Sequence, residues 1–410
     1  MSLFISCDWG TSNLRLRLID QSTAQCLAEA RSDQGIAATY RSWTAASIPA
    51  PFSRPSTAGQ GIDATYRLSF YQRTLLPLIY ELKVKLPPGL LLPPGLPLIL
   101  SGMASSRLGL LELPYTKLPS AITPHDLIHT LIPASGDFPF PTLLISGACT
   151  DDDVLRGEET QLLGAFSSSN LTPHAATPAP AAATPAAVAA SAAPATPAAA
   201  TSAAAASGSA GHLYIFPGTH SKHILTRAGL AISFQTFMTG EFFHLLSTQS
   251  ILSASLESPD SEPSSELGSF PELSPQPESV SSPEPKPSSP SGPLSVSSPT
   301  PAPISNPSFA EGVLASRGSG LLHNAFLTRT RQLLQNRNKQ DNYYFLSGLL
   351  IGEELKYLSS SPTPLTIVGT GALRSSYITA CGLLDIKDFS TLDGDQALIK
   401  GHCNFYHFLF

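Results

Sequence analysis

Two long stretches of the chain carry almost nothing from which a core could be built, and they fix where folded structure can lie. Residues 167–211 are nearly all Ala, Pro, Thr and Ser. Residues 257–307 are dominated by Ser, Pro and Glu. Neither has the apolar side chains to offset the entropy of ordering its backbone. Alanine runs in the first could be helical, but its prolines recur too often for a long helix. Both read as disordered surface insertions, tolerated because closure entropy grows slowly with loop length. They are the local origin of the 38 prolines and of a charged fraction of only 13%. Residues 38–61, polar and proline-containing, read as a long loop.

Three periodic blocks remain: residues 1–166, 212–256 and 308–410. A chain of 410 residues exceeds one ordinary domain, so two lobes are expected. In the first block, residues 3–7 read as an apolar strand. Leu14, Leu16 and Leu18 alternate with Arg15 and Arg17, the period of a half-buried strand. Residues 24–32 read as a third strand, 67–85 as a helix and 96–100 as a buried strand. In the second block, strands are expected over 213–216, 223–226 and 231–237, with a helix from Thr239. In the third, residues 309–334, 343–357, 372–381 and 395–407 read as helices and 365–368 as a strand. One echo links the halves: each has a strand, a Gly-Thr turn (Gly10-Thr11, Gly218-Thr219), two further strands and a helix.

Several function classes are disfavoured. The net charge is −6 and no basic run occurs, so nucleic acid is not an expected partner. The most apolar stretch, residues 90–100, is short and broken by prolines, so no membrane span is expected. The first residues reach Asp8 without a charged n-region, unlike a signal peptide. Cys7, Cys26, Cys149, Cys381 and Cys403 are widely spaced with no C-x-x-C pair. They fit reduced thiols in the cytoplasm better than disulfides or zinc.

The residues that could carry chemistry cluster in turns. Asp8-Trp9-Gly10-Thr11-Ser12-Asn13-Leu14-Arg15 joins two strands. A Gly-Thr hairpin lets backbone N–H groups approach phosphate oxygens, and an Asp ending the strand can hold magnesium through water. Gly218 and Thr219, with His220, Ser221 and Lys222, are a second phosphate candidate. Lys222 could neutralise phosphate or be a solvated surface lysine. Gly369-Thr370-Gly371 lies between a strand and a helix, where helix N–H groups could meet a nucleotide. Arg374 stands where a dinucleotide fingerprint needs its third glycine. The acidic run Asp151-Asp152-Asp153 through Glu158-Glu159 could supply a carboxylate that accepts a hydroxyl proton, or be a solvated turn opening a helix. Gly102, Met103 and Ser105 end a buried strand, a usual place for a ligand crevice. Thr239, Gly240 and Glu241 open a helix; packing and binding are equally open for them. No zinc pattern surrounds His220, His223 and His244, so each reads as an ordinary satisfied or exposed histidine.

Taken together, these motifs resemble the 2-dehydro-3-deoxygalactonokinases of the sugar kinase/actin/Hsp70 superfamily. The matching runs are residues 5–15, the Arg-Gly-Glu-Glu-Thr-Gln run at 156–161, Pro-Gly-Thr-His at 217–220, residues 237–241, residues 345–353 and residues 368–371. The resemblance spans nearly everything except the two insertions. It implies an α/β fold of two RNase-H-like lobes, as in actin and hexokinase, around a central cleft. Residues 1–166 would form the N-terminal lobe, and 212–256 with 308–410 the C-terminal lobe. It implies transfer of the ATP γ-phosphoryl group to the 6-hydroxyl of 2-dehydro-3-deoxy-galactonate, ahead of an aldolase in bacterial galactonate breakdown. On this reading Asp8 organises Mg2+ through water. Gly10, Thr11, Asn13, Gly218 and Thr219 hold phosphates, and Gly369, Thr370 and Gly371 lie under the adenosine. Glu158, or else Glu159, is the base. Arg15, Arg156 and Lys222 offset charge or bind the substrate carboxylate. Gly102, Met103, Ser105, Thr239, Gly240 and Glu241 line the acceptor site, and Arg107 lies close to it in sequence. A homodimer is left open as a partner state. The rivals are a kinase of this fold acting on another sugar or sugar acid, and a non-catalytic nucleotide-binding regulator.

Overall fold

A computed structural model describes residues 2–46, 60–167, 172–174, 211–259 and 306–410. β1 (Leu3–Trp9), β2 (Leu14–Asp20) and β3 (Gln25–Ser32) form an antiparallel meander. Two helices follow, α1 (Ile36–Ala46) and α2 (Gln60–Val84). They carry the chain over to β4 (Leu98–Gly102), which pairs parallel to β1. β5 (His129–Ile132) and β6 (Thr142–Ile145) complete a six-stranded sheet, ordered β3-β2-β1-β4-β6-β5. α3 (Glu158–Phe166) follows.

The second sheet repeats this connectivity. β7 (His212–Phe216), β8 (Ser221–Arg227) and β9 (Leu230–Phe237) are again an antiparallel meander, leading to α4 (Thr239–Thr248). Next come α5 (Pro307–Ala315), α6 (Leu321–Gln335) and α7 (Lys339–Leu355). β10 (Leu365–Gly369) then pairs parallel to β7. α8 (Gly371–Leu383) leads to β11 (Phe389–Asp393), parallel to β10, and α9 (Gly394–Leu409) ends the chain. Strand order across the shared part is β11-β10-β7-β8-β9, matching β6-β4-β1-β2-β3.

Side-chain alternation sorts the strands' two faces into separate cores. Ile5, Cys7, Leu14, Leu16 and Leu18 pack against α1 and α2. Phe4, Ile19, Ile99 and Leu143, on the opposite face, join Leu162 of α3, Ile399 and Phe405 of α9, and Phe216 and Phe234 of the second sheet. Helices α3 and α9 are thus a layer shared by both sheets. The far face of the second sheet meets α5, α7 and α8 through Ile215, Val313, Ile351 and Tyr377.

Several expectations are corrected. The loop expected over 38–61 is helical wherever it is described: α1 runs to Ala46 and α2 begins at Gln60, while 47–59 lie outside the described residues. Buried Ile36, Thr39 and Trp43 fall on one helical face, and that packing outweighs the polar composition. The helix expected over 309–334 is two helices, broken between Ala315 and Leu321 where Gly318 and Gly320 interrupt it. β5, β6 and β11 were not expected, because four- and five-residue strands leave little periodicity to read. Within the expected insertions, Thr172–His174 pairs as an edge strand with β11. Backbone pairing does not require apolar side chains. Residues 168–171, 175–210 and 260–305 lie outside the described residues. Among the described residues no helix is long and apolar enough to cross a membrane.

Candidate active site

The β1–β2 turn is held from two sides. Gly10 N–H donates to the Asn13 carbonyl at 2.9 Å, closing the turn. The start of α1 then clamps it: Ile36 N–H donates to Gly10 O at 2.9 Å and Ala37 N–H to Thr11 O at 3.0 Å. A Cβ on Gly35 would overlap the backbone of Thr11 and Ser12 and lie 2.6 Å from Asn13 N, so only glycine lets α1 approach this closely.

Register sets Asp8 opposite Ser101 and Trp9 opposite Gly102 on the parallel β4. Gly102 has φ 86°, and a Cβ there would lie 2.9 Å from Trp9 O. Gly157, with φ 107°, opens α3 directly against Gly102. These two glycines bring the first residue of α3, Glu158, to the end of the strand that carries Asp8.

The second turn is built the same way. Gly240 at the start of α4 packs on it: a Cβ there would stand 2.7 Å from Gly218 O and Thr219 Cα. Glu241 N–H donates to Thr219 O at 3.0 Å, and the Glu241 carboxylate pairs with the His220 ring. Gly369 lies on the other flank, where a Cβ would touch the Pro217 ring at 3.6 Å.

Between these elements is a cleft of about 400 Å³. The first turn contributes Asp8, Gly10 and Thr11, and the end of β4 contributes Gly102 and Met103. Arg156, Glu158 and Gln161 line it from α3 and the segment before it, and Gly218, Thr219, His220 and Lys222 from the opposite side. The cleft therefore unites about half of the candidate site residues singled out in the sequence. Others support the cleft without lining it. Asn13 closes the first turn through its carbonyl. Arg15 pairs with Asp395 of α9 at 2.7 Å. Ser105 is buried beneath Arg156. Thr239 lines a separate cavity with Phe242 and Glu353. Thr370 and Gly371 form the junction of β10 and α8 beside the second turn. The Arg107 carbonyl accepts from Arg67.

The electrostatics divide the two glutamates. Glu158 faces the cleft, and burial raises its pKa while the neighbouring Lys222 ammonium pulls it back. Glu159 points inward, accepting from Gly157 N–H at 2.7 Å and Thr160 Oγ1 at 2.9 Å. Burial, with Glu158 alongside, lifts the Glu159 pKa to about 7. Lys222 is not a surface lysine: it is 6% exposed and donates to Val154 O at 3.0 Å and Thr236 Oγ1 at 2.7 Å. Asp153 is likewise structural, accepting from Thr236 N–H and Oγ1.

Arg156 lies over the Tyr115 ring at 4.0 Å. Its guanidinium donates to the Tyr115 hydroxyl, Ser105 O, Ser105 Oγ and Leu113 O. One of its N–H donors is left for a ligand. Asp8 is a half-buried carboxylate at the cleft, to which no described residue donates a side-chain hydrogen bond. Burial raises its pKa, opposed by Arg15 and Arg17. A carboxylate facing an open cleft with no side chain hydrogen-bonded to it fits a hydrated divalent cation.

Gly35 and Tyr115 were not singled out from sequence, and Gln161 lay in the 156–161 run with no role of its own. Gly35 has a weak signal, a glycine just before an apolar helical face. Tyr115 has none, because its role is a contact with a residue 41 positions away.

A family model described as 2-keto-3-deoxy-galactonokinase matches residues 8–180, 198–273 and 293–405. A Rhizobium meliloti (strain 1021) protein named "Probable 2-dehydro-3-deoxygalactonokinase DgoK1" is 25% identical over 97% of this chain and 94% of its own length. The Escherichia coli (strain K12) 2-dehydro-3-deoxygalactonokinase is 24% identical over 74% of this chain and 76% of its own. A crystal structure of a Sinorhizobium meliloti protein assigned the same activity superposes with a TM-score of 0.61 at 23% identity, covering 99% of this chain and 97% of that one. The chain belongs to the 2-keto-3-deoxy-galactonokinase family.

Proposed function

We propose that this chain is a carbohydrate kinase that transfers the γ-phosphoryl group of ATP to the 6-hydroxyl of 2-dehydro-3-deoxy-D-galactonate, giving 2-dehydro-3-deoxy-6-phosphogalactonate and ADP. The observation that carries it is one cleft flanked by two Gly-Thr turns, with Glu158 between them and Asp8 alongside. Family membership supplies the acceptor.

The repeated strand connectivity supports two RNase-H-like lobes of the actin/hexokinase type. Residues 1–166 would form one, and residues 212–256 with 308–410 the other. The intervening stretches, 167–211 and 257–307, would be insertions on that fold, the first adding the Thr172–His174 edge strand to the second sheet. The use of ATP fits a cytoplasmic reaction.

Gly10 and Thr11 on one side and Gly218 and Thr219 on the other would grip the phosphates through backbone N–H groups and hydroxyls. Asp8 would hold magnesium through water, and the ion would offset phosphate charge. Gly369, Thr370 and Gly371 would lie under the adenosine. Glu158 would orient the 6-hydroxyl and take its proton as the oxygen bonds to the γ-phosphorus. The bond to the bridging oxygen of ADP breaks in the same step. Lys222 would keep Glu158 ionised and meet developing phosphate charge. Arg156 would hold the Gly102–Ser105 segment in place and offer its remaining N–H to the sugar acid's carboxylate. Glu159, turned inward, would stabilise the start of α3.

Phosphorus NMR of the product tests the assignment. A phosphomonoester coupled to the C6 protons supports it. An ester at another carbon, or release of inorganic phosphate alone, counts against it.

A further inference from the structure

Glu354 of α7 is 4% exposed, and its carboxylate is the meeting point of three other elements. Its Oε1 accepts from Ser221 Oγ at 2.6 Å and His223 Nε2 at 2.8 Å, both on β8. Its Oε2 accepts from the Tyr377 hydroxyl of α8 at 2.7 Å and from the Thr239 hydroxyl of α4. The Tyr377 and Ser221 hydroxyls also meet at 3.4 Å. A buried carboxylate is retained only where hydrogen bonds replace its lost hydration, and here four donors do so.

The donors' positions give the network its meaning. Ser221 is the residue directly after the second turn, whose Gly218 and Thr219 line the cleft. Thr239 opens α4, and its neighbour Gly240 packs on that same turn. Tyr377 lies on α8, the helix that begins at Gly371. Glu354 therefore ties the second turn and α8, both assigned to the nucleotide, to the start of α4, where Thr239, expected on the acceptor side, lies outside the cleft. It does not itself line the cleft. Glu158, Arg156 and Gly102 belong to other elements.

We propose that Glu354 is the positioning residue of the nucleotide half of the site. It sets the second turn in the geometry that binds nucleotide phosphates, with no direct part in holding the sugar acid. This inference rests on the kinase reading, but nucleotide binding tests it separately from turnover.

Glu354→Ala would leave four buried donors unpaired and could fail to fold. Glu354→Gln keeps the shape and one acceptor oxygen, and Tyr377→Phe removes a single donor. The measurement is ADP affinity by titration calorimetry on the full chain, with KM for ATP and for the sugar acid beside it. The expected result for Glu354→Gln is ADP affinity weakened about tenfold or more, since small displacements of binding groups are costly. KM for ATP rises in step, and KM for the sugar acid stays within about twofold of wild type. Tyr377→Phe shows a smaller change of the same pattern. Unchanged ADP affinity in Glu354→Gln, or equal rises in both KM values, overturns the proposal. If the wild type binds ADP but turns over no sugar acid, the kinase reading fails while the calorimetric comparison still decides the role of Glu354.

Discussion

Lys222, itself buried, stands beside Glu158 and acts on that carboxyl through its charge. Burial drives the Glu158 pKa upward and the lysine's charge opposes it. As the proposed base, Glu158 would work deprotonated, so turnover should fall as pH drops through its folded pKa. The acid limb of kcat is therefore expected above the ordinary glutamate range. Lys222→Met removes the opposing charge and should move that limb to higher pH. Glu158→Gln should lower kcat by about 100-fold or more with little change in nucleotide affinity, the usual size of a lost proton acceptor. A pH–rate series on the three enzymes checks this; a limb that ignores Lys222 removes the coupling.

Glu159 makes a stability prediction of opposite use. Its folded pKa of about 7 lies above the ordinary glutamate value, so the folded state holds the proton more tightly than the unfolded chain. Its contribution is fully present below the unfolded value and is lost as pH rises through about 7. The whole effect is on the order of 3 kcal/mol. Glu159→Gln should flatten the fall in melting temperature between acidic and neutral pH. Denaturation curves across that window would show it. Equal slopes in both proteins would mean that Glu159 is charged throughout.

Gly35 should be intolerant of any side chain. A Cβ there meets the backbone of Thr11, Ser12 and Asn13, which cannot move aside without opening the first turn. Gly35→Ala should cost about 1–3 kcal/mol of stability, the range for overpacking. It should also raise KM for ATP, because the phosphate turn shifts. Normal nucleotide affinity in a folded Gly35→Ala enzyme would contradict that role.

Arg156 anchors three backbone and side-chain partners with a planar fork that lysine cannot reproduce. Arg156→Lys should lower kcat/KM for the sugar acid by about 10- to 100-fold, since the Gly102–Ser105 segment loses its brace. ADP affinity should be unaffected. Steady-state kinetics with each substrate varied separately decides the point.

Legibility in the sequence followed the range of the interaction. Leu14, Leu16 and Leu18 alternate within a few residues, and their strand was readable. The turns at Gly10-Thr11 and Gly218-Thr219, and the Glu158 helix start, are local motifs and were readable too. Lys222 was ambiguous because its burial depends on Val154, 68 positions away, and on Thr236 across the neighbouring strand. Glu354 gave no sign of its role: Ser221 is 133 positions away and His223 is 131. α1 was hidden because its stabilisation comes from packing on the first sheet and turn. A resemblance to a known family supplied the chemistry of the acceptor, which no local pattern could.

The most direct test is ADP release, measured with ATP-magnesium and 2-dehydro-3-deoxy-galactonate, beside the gluconate epimer and glucose. Turnover with the galactonate derivative, strongly preferred over the other two, is the result this account predicts. Equal or greater turnover with either alternative, or none with any acceptor, would contradict it.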